Sequence, residues 1–243
     1  MAQADWTVLG GSLSSSVVDN GVTLGPVKPN GGGVYVYGFN SLEIVSGVIA
    51  LSNVQLNFAP MAKGGRISGA LKRAVSGGPT GFAPFLFIGL QSAAVSGQGY
   101  LLGLSDGAPY HIELRKGALT GGLPDAGVDP DSGSHILMRS TEAFDADTWH
   151  HLRLDMIKEG SGDVLLQCYQ NDLGANPVTG PVWTAIPGME GPQSPTVVGF
   201  VDDSLGINTG SAPFTSGRAG FGFQVADVTR RAFFDHVQIA RQL

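Results

Sequence analysis

Five glutamates, five histidines, one cysteine and several paired aspartates are the side chains that could carry chemistry in this chain. Cleavage of a glycosidic bond with retention needs two carboxyl groups about 5 Å apart. The glutamates are Glu43, Glu113, Glu142, Glu159 and Glu190, and no two share one strand-like segment. A catalytic pair would have to assemble from separate strands. The segment Gly103-Leu104-Ser105-Asp106-Gly107 matches Gly-x-Ser-x-Gly. A nucleophile elbow needs a helix after the serine. Here Pro109 and an alternating segment follow, and Asp106-Gly107 reads as a hairpin turn. The histidines (His111, His135, His150, His151, His236) form no His-Glu-x-x-His motif, and Cys168 alone cannot build a cysteine-rich zinc site. His150 and His151 point to opposite faces if their segment is a strand. No Gly-rich loop ending in Lys-Ser/Thr is present to cradle phosphate. No catalytic residue is assigned, and the expectation is that the chain is not an enzyme.

Oxygen-rich loops suggest a different chemistry. Asp129-Pro130-Asp131, Asp145-Ala146-Asp147 and Asp202-Asp203 with Asn208 offer hard ligands. Calcium takes six to eight such oxygens. Asp129, Asp131, Asp202, Asp203 and Asn208 are the candidate ligands, and calcium is the only cofactor considered. The alternative is a set of solvated turns and Asx caps. Trp183, in Pro181-Val182-Trp183-Thr184-Ala185-Ile186-Pro187, is the candidate ligand-binding residue. It reads either as an exposed platform for a sugar ring or as a side chain packing its loop on the sheet.

These side chains must be held by strands. Alternation with period two runs through 110–115, where Tyr110, Ile112 and Leu114 face one way and His111, Glu113 and Arg115 face water. It recurs in 151–156, with Leu152, Leu154 and Met156 buried, and in 163–169, 221–225 and 233–240. Phe85-Leu86-Phe87-Ile88 is apolar on both faces, as a central strand covered on both sides would be. Further strands are expected at 34–39, 43–51, 54–58 and 66–75. Residues 64–75 read equally as a short helix. Residues 120–134, rich in Gly, Pro and Asp, and 176–196, rich in Gly and Pro, read as long surface loops. No linker or repeat divides the chain, so all 243 residues are expected to form one domain.

The chain has 37 Gly and 14 Pro, which punctuate apolar runs rather than replace them, since 42% of residues are hydrophobic. The net charge is −6 with no basic stripe, so nucleic acid is not an expected partner. No apolar run reaches the roughly 18 residues of a membrane span. The N-terminus lacks the basic and apolar regions of a secretory signal. Synthesis and folding in a cytoplasm is the expectation.

An ordered set of motifs resembles the concanavalin A-like, laminin G-like family. Gly99-Tyr100-Leu101-Leu102-Gly103-Leu104 is followed by Leu114-Arg115-Lys116-Gly117. Thr148-Trp149-His150-His151-Leu152-Arg153-Leu154 is similar to that family's Trp-led strand. Asp163-Val164-Leu165-Leu166-Gln167-Cys168-Tyr169-Gln170-Asn171-Asp172 is similar to the next. Gly217-Arg218-Ala219-Gly220-Phe221-Gly222-Phe223 and Phe233-Phe234-Asp235-His236-Val237-Gln238-Ile239 resemble its closing pair. The resemblance covers 82–243. It implies an all-β jelly-roll sandwich of two antiparallel sheets, in which calcium at the rim would be in keeping. It does not fix function, because such folds serve lectins, hydrolases, adhesive modules and virus particles.

The leading expectation is a structural or adhesive module, resembling a bacteriophage virion protein of a tail, baseplate, fibre or capsid decoration. Its partners would be other virion proteins, copies of itself, and host-surface glycans. The alternative is a soluble carbohydrate-binding lectin, and a polysaccharide-acting hydrolase comes last.

Overall fold

The structure is a computed structural model that describes residues 6–8, 26–30, 34–37, 42–45, 48–56, 64–74, 84–92, 97–105, 109–119, 135–144, 149–171, 181–189, 199–203, 211–223 and 231–242. Among these residues there is no helix; every element is a strand. They are β1 (Trp6–Val8), β2 (Pro26–Asn30), β3 (Val34–Tyr37), β4 (Leu42–Val45), β5 (Val48–Leu56), β6 (Gly64–Ala74), β7 (Phe85–Leu90) and β8 (Gln98–Leu104) in the first half. The second half adds β9 (Ile112–Ala118), β10 (His135–Arg139), β11 (His150–Lys158), β12 (Val164–Asn171), β13 (Trp183–Ala185), β14 (Phe200–Asp202), β15 (Gly217–Phe223) and β16 (Arg231–Gln242).

Two antiparallel sheets account for all but a β2–β3 ribbon. The first runs β1-β5-β15-β7-β8-β9-β10. The second runs β13-β12-β11-β6-β16-β4, with β14 also paired to β12. The sheets pack through the alternate residues that the sequence pattern marks as apolar. Leu152, Leu154 and Met156 of β11 meet Ile67 and Leu71 of β6. They pack with Leu86 and Ile88 of β7, Tyr100 and Leu102 of β8, and Phe221 of β15 in one buried cluster. Each fully buried side chain of this kind contributes roughly 1.5–3 kcal/mol. Residues 64–74 are a strand rather than a helix, because β11 and β16 claim both edges of β6.

Parity along β16 is not constant. Asp235 pairs with Ala70 but Gln238 pairs with Ser68, so β16 carries one extra residue there. A bulge flips which side chains face inward. Phe234 before it and Val237 and Ile239 after it therefore all pack on the core.

The outer face of the first sheet is also buried. Phe85, Phe87, Leu90, Leu101 and Leu119 form a second apolar cluster, in keeping with the two-sided apolar pattern of β7. Beside it stand Glu113, Arg115 and Arg139. Glu113 and Arg115 do not face water as their alternation suggested: the Glu113 carboxylate is buried between the two guanidiniums. Oppositely charged neighbours on one buried face satisfy one another where solvent cannot.

The stretch 176–196 is likewise not wholly an irregular surface loop. Residues 183–185 form β13 on the edge of the second sheet, and Ile186 and Met189 enter the main core. The Thr141 amide donates to the Pro187 carbonyl (3.0 Å). A Cβ on Gly188, where φ is +83°, would stand 2.6 Å from Thr141 backbone nitrogen, so only glycine lets this turn close on 140–142.

Candidate functional site

The outer face of the second sheet differs from that of the first. Core residues occupy the even positions of β11, so His151, Arg153 and Asp155 project the other way. Register then places three rows across neighbouring strands. Arg66 of β6 stands opposite Asp155, and Asp155 opposite Gln167 of β12. Ser68 stands opposite Arg153, Arg153 opposite Tyr169, and Tyr169 opposite Ala185. In the third row Ala70 faces His151, and Asn171 faces Trp183.

Asp155 organises the first two rows. Its carboxylate accepts from Arg66 Nε (2.8 Å) and Nη2 (3.1 Å) and from Arg153 Nε (2.8 Å) and Nη2. Burial pushes this carboxyl up, but the hydrogen bonds from Arg153 and then Arg66 outweigh it and hold the group below its ordinary range. It is a fixed anion that aims two guanidiniums.

Arg153 in turn is wedged between aromatic rings. Its guanidinium carbon is 4.6 Å from the Tyr169 ring centroid and 5.6 Å from that of Trp183. Cation–π contacts of this kind strengthen where water is excluded. The His151 and Trp183 rings are 4.8 Å apart and tilted by 58°. Asn171 steadies the edge strand by accepting the Val182 amide through Oδ1 (2.8 Å). Burial, with the Asp155 carboxylate adding to it, raises the Tyr169 phenol above its usual range, so it stays a neutral donor. The result is a half-buried surface of ring faces and two oriented guanidiniums, backed by the buried His151 imidazole. Ring faces of this kind stack on the C–H face of a sugar, while guanidinium, phenol and amide groups bond its oxygens.

Sequence reasoning singled out Trp183 here and missed Arg66, Arg153, Asp155 and Tyr169. Trp183 lies on the edge strand, half-buried against His151 and Arg153. The missed residues are the polar positions of β6, β11 and β12. Alternation marked them as one face of each strand, but only strand order brings them together. His150 and His151 do point to opposite faces. His150 meets the Phe144 ring edge-on at 5.4 Å on the core side.

Of the five calcium candidates, Asp202 and Asp203 fall among the described residues. Asp129, Asp131 and Asn208 lie outside the described residues, as do Asp145 and Asp147. Asp202, on β14, is fully buried. Its carboxylate accepts the Tyr100 hydroxyl (2.5 Å) and pairs with Lys116 Nζ (2.8 Å). The Asp202 carboxylate is thus already paired with a buried ammonium. Lys116 also donates to the Ser211 (2.7 Å) and Ala212 (3.0 Å) carbonyls, and the Phe214 amide donates to the Tyr100 hydroxyl (2.9 Å). This network ties β8, β9, β14 and residues 211–214 together. Asp203 follows β14, half-buried. Among the described residues no three His, Cys, Asp or Glu side chains cluster as a metal site would require.

No protein-family profile matches the chain, and no curated protein matches it in sequence. Solved structures do. The chain is similar to the carbohydrate-binding module CBM66 from Bacillus subtilis, at 13% identity and a TM-score of 0.50, over 97% of this chain and 94% of that one. It is similar to the Emp47p carbohydrate recognition domain, at 11% identity and a TM-score of 0.50, over 98% and 89%. With its two antiparallel sheets, the fold is a concanavalin A-like β-sandwich. The alginate lyase Aly36B also matches, at 12% identity and a TM-score of 0.45, over 96% and 98%. The expectation that the chain is not an enzyme is corrected: it rested on the lack of a local glutamate pair, which a pair assembled from separate strands would not show, and one fold serves both binding and catalysis.

Proposed function

We propose that this chain binds carbohydrate on the outer face of its second sheet. The observation that carries the reading is the layer formed by Trp183, His151, Arg153 and Tyr169. Aromatic faces and oriented hydrogen-bond donors lie side by side there on three paired strands. Structures of the same fold that are named as a carbohydrate-binding module and a carbohydrate recognition domain support it. The first expectation, a bacteriophage virion subunit, has no such support, and the alternative of carbohydrate binding takes its place.

A glycan array probed with wild-type protein and Trp183→Ala tests the reading, run beside an assay for product release from the bound polymers. Binding to a restricted set of glycans, weakened in the variant, is expected. Uniform signal on all glycans, or a variant that binds as well as wild type, counts against it. Product release from a bound polymer would add an activity at the same face.

A further inference from the structure

We infer that the ligand of this face is an acidic glycan, a chain whose sugars carry carboxylates, lying diagonally from Trp183 to Arg66. The inference rests on the carbohydrate reading above. It comes from the charge and open edges of the two rows aimed by Asp155.

Those rows hold two guanidiniums, Arg66 and Arg153, against one carboxylate, Asp155. The chain as a whole has 20 acidic and 14 basic side chains, so a local excess of fixed positive charge runs against its composition. Asp155 takes Nε and Nη2 of both arginines. The other edge of each guanidinium, Nη1, has no partner among the described residues. Arg153 is shielded by its two rings, with 13% of its side chain exposed. Arg66 is the open one, at 34%. A planar guanidinium already held on one edge offers a rigid fork on the next, which matches a carboxylate better than a lone hydroxyl. A neutral sugar would gain little from a second cation here.

Length also bears on the ligand. Arg66 and Trp183 are three strand spacings apart across the sheet and two pleats apart along it. At about 4.8 Å per strand and about 3.4 Å per residue, the diagonal is on the order of 20 Å. One monosaccharide cannot touch both ends. The Tyr169 hydroxyl, which has no hydrogen-bond partner among the described residues, lies along the same line. An oligomer would stack one residue on Trp183, pass Arg153 and Tyr169, and present a carboxylate to Arg66.

Affinity electrophoresis against polygalacturonate and alginate, each compared with its carboxyl-reduced neutral polymer, tests this. Wild type should bind at least one acidic polymer about tenfold more tightly than its reduced form, the gap narrowing with salt. Arg66→Gln should lose most of that gap, its affinity for the acidic polymer falling several-fold further than its affinity for the reduced one. Arg66→Lys should keep part of it. Thermal melting of each variant separates loss of fold from loss of charge. Equal binding of acidic and reduced polymers, or an Arg66→Gln protein that keeps the full gap, would overturn the inference and leave the carbohydrate reading standing. Failure to bind any glycan on the array would remove both.

Discussion

Arg153 and Tyr169 stand directly opposite one another on β11 and β12, with the guanidinium carbon 4.6 Å from the ring centroid. The pair joins the charged rows of the sheet face to its aromatic edge. On one side the guanidinium is held by Asp155, and on the other it reaches toward Trp183. Neither element would be placed as well alone. The carboxylate sets the direction of the guanidinium, and the rings remove the water that would let it move.

Replacing Trp183 with Ala should weaken glycan binding by about tenfold, the scale of one aromatic contact. Stability should fall little, because Trp183 is only half-buried and Ile186 and Met189 still anchor the segment. Titration calorimetry and thermal melting on the same sample check both parts. Gly188→Ala should do the reverse in order of cause. It strains the turn against Thr141, lowers the melting temperature, and weakens binding through misplacement of β13.

Asp155→Asn should destabilise the protein by about 1–3 kcal/mol at neutral pH, because two guanidiniums lose their buried anion. The pH dependence follows from the depressed folded-state affinity of Asp155 for protons. Its stabilisation is fully present above the ordinary carboxyl value of about 4 and is lost as pH falls through the lower folded value. The gap between wild type and variant, read from urea unfolding, should therefore be widest at neutral pH and close under acid.

Tyr100 makes the opposite prediction at high pH. Burial, the Asp202 charge and the Asp202 hydrogen bond all push its phenol up. A raised folded value contributes stability that is complete below the unfolded value of about 10 and is lost as pH rises beyond it. Wild type should lose stability above that pH more steeply than Tyr100→Phe does. At neutral pH the variant should be weaker by about 1–2 kcal/mol, since Asp202 and the Phe214 amide each lose a partner. Asp202→Ala should cost more, about 3–5 kcal/mol, because it leaves the Lys116 ammonium buried without its counter-ion.

Cys168 is fully buried, and burial followed by the charge of Asp155 pushes its thiol well above the usual range. The thiolate is the reactive form. A disulfide reagent added to folded protein at pH 8 should therefore report almost no thiol. Full reaction should appear only on unfolding.

Much of the sandwich was legible in the chain. Leu152, Leu154 and Met156 alternate cleanly because β11 is central in its sheet and buries one face against the core. Phe85 to Ile88 reads as two-sided because β7 has apolar clusters on both sides. The pattern failed where a polar residue is buried by pairing. Glu113 and Arg115 carry the alternation of exposed residues yet lie under cover, since each supplies the other's counter-charge. It failed again at β13, where a three-residue edge strand between prolines is too short to show a period. The site was the least legible part. Arg66 and Asp155 are 89 residues apart in sequence, and nothing local to either predicts their meeting. The aromatic member, Trp183, stood out because a large ring in a Gly- and Pro-rich loop either stacks on a ligand or packs its loop on the sheet.

The central claim is that a glycan lies against Trp183 on the outer face of the second sheet. The three tryptophans give three indole N–H signals in a proton–nitrogen correlation spectrum, assignable by single Trp→Phe variants. Titration with an oligosaccharide from a polymer that binds should move the Trp183 signal in a saturable way. The signal of Trp149, which is buried, should stay in place. Saturable binding that leaves the Trp183 signal unmoved would contradict the account.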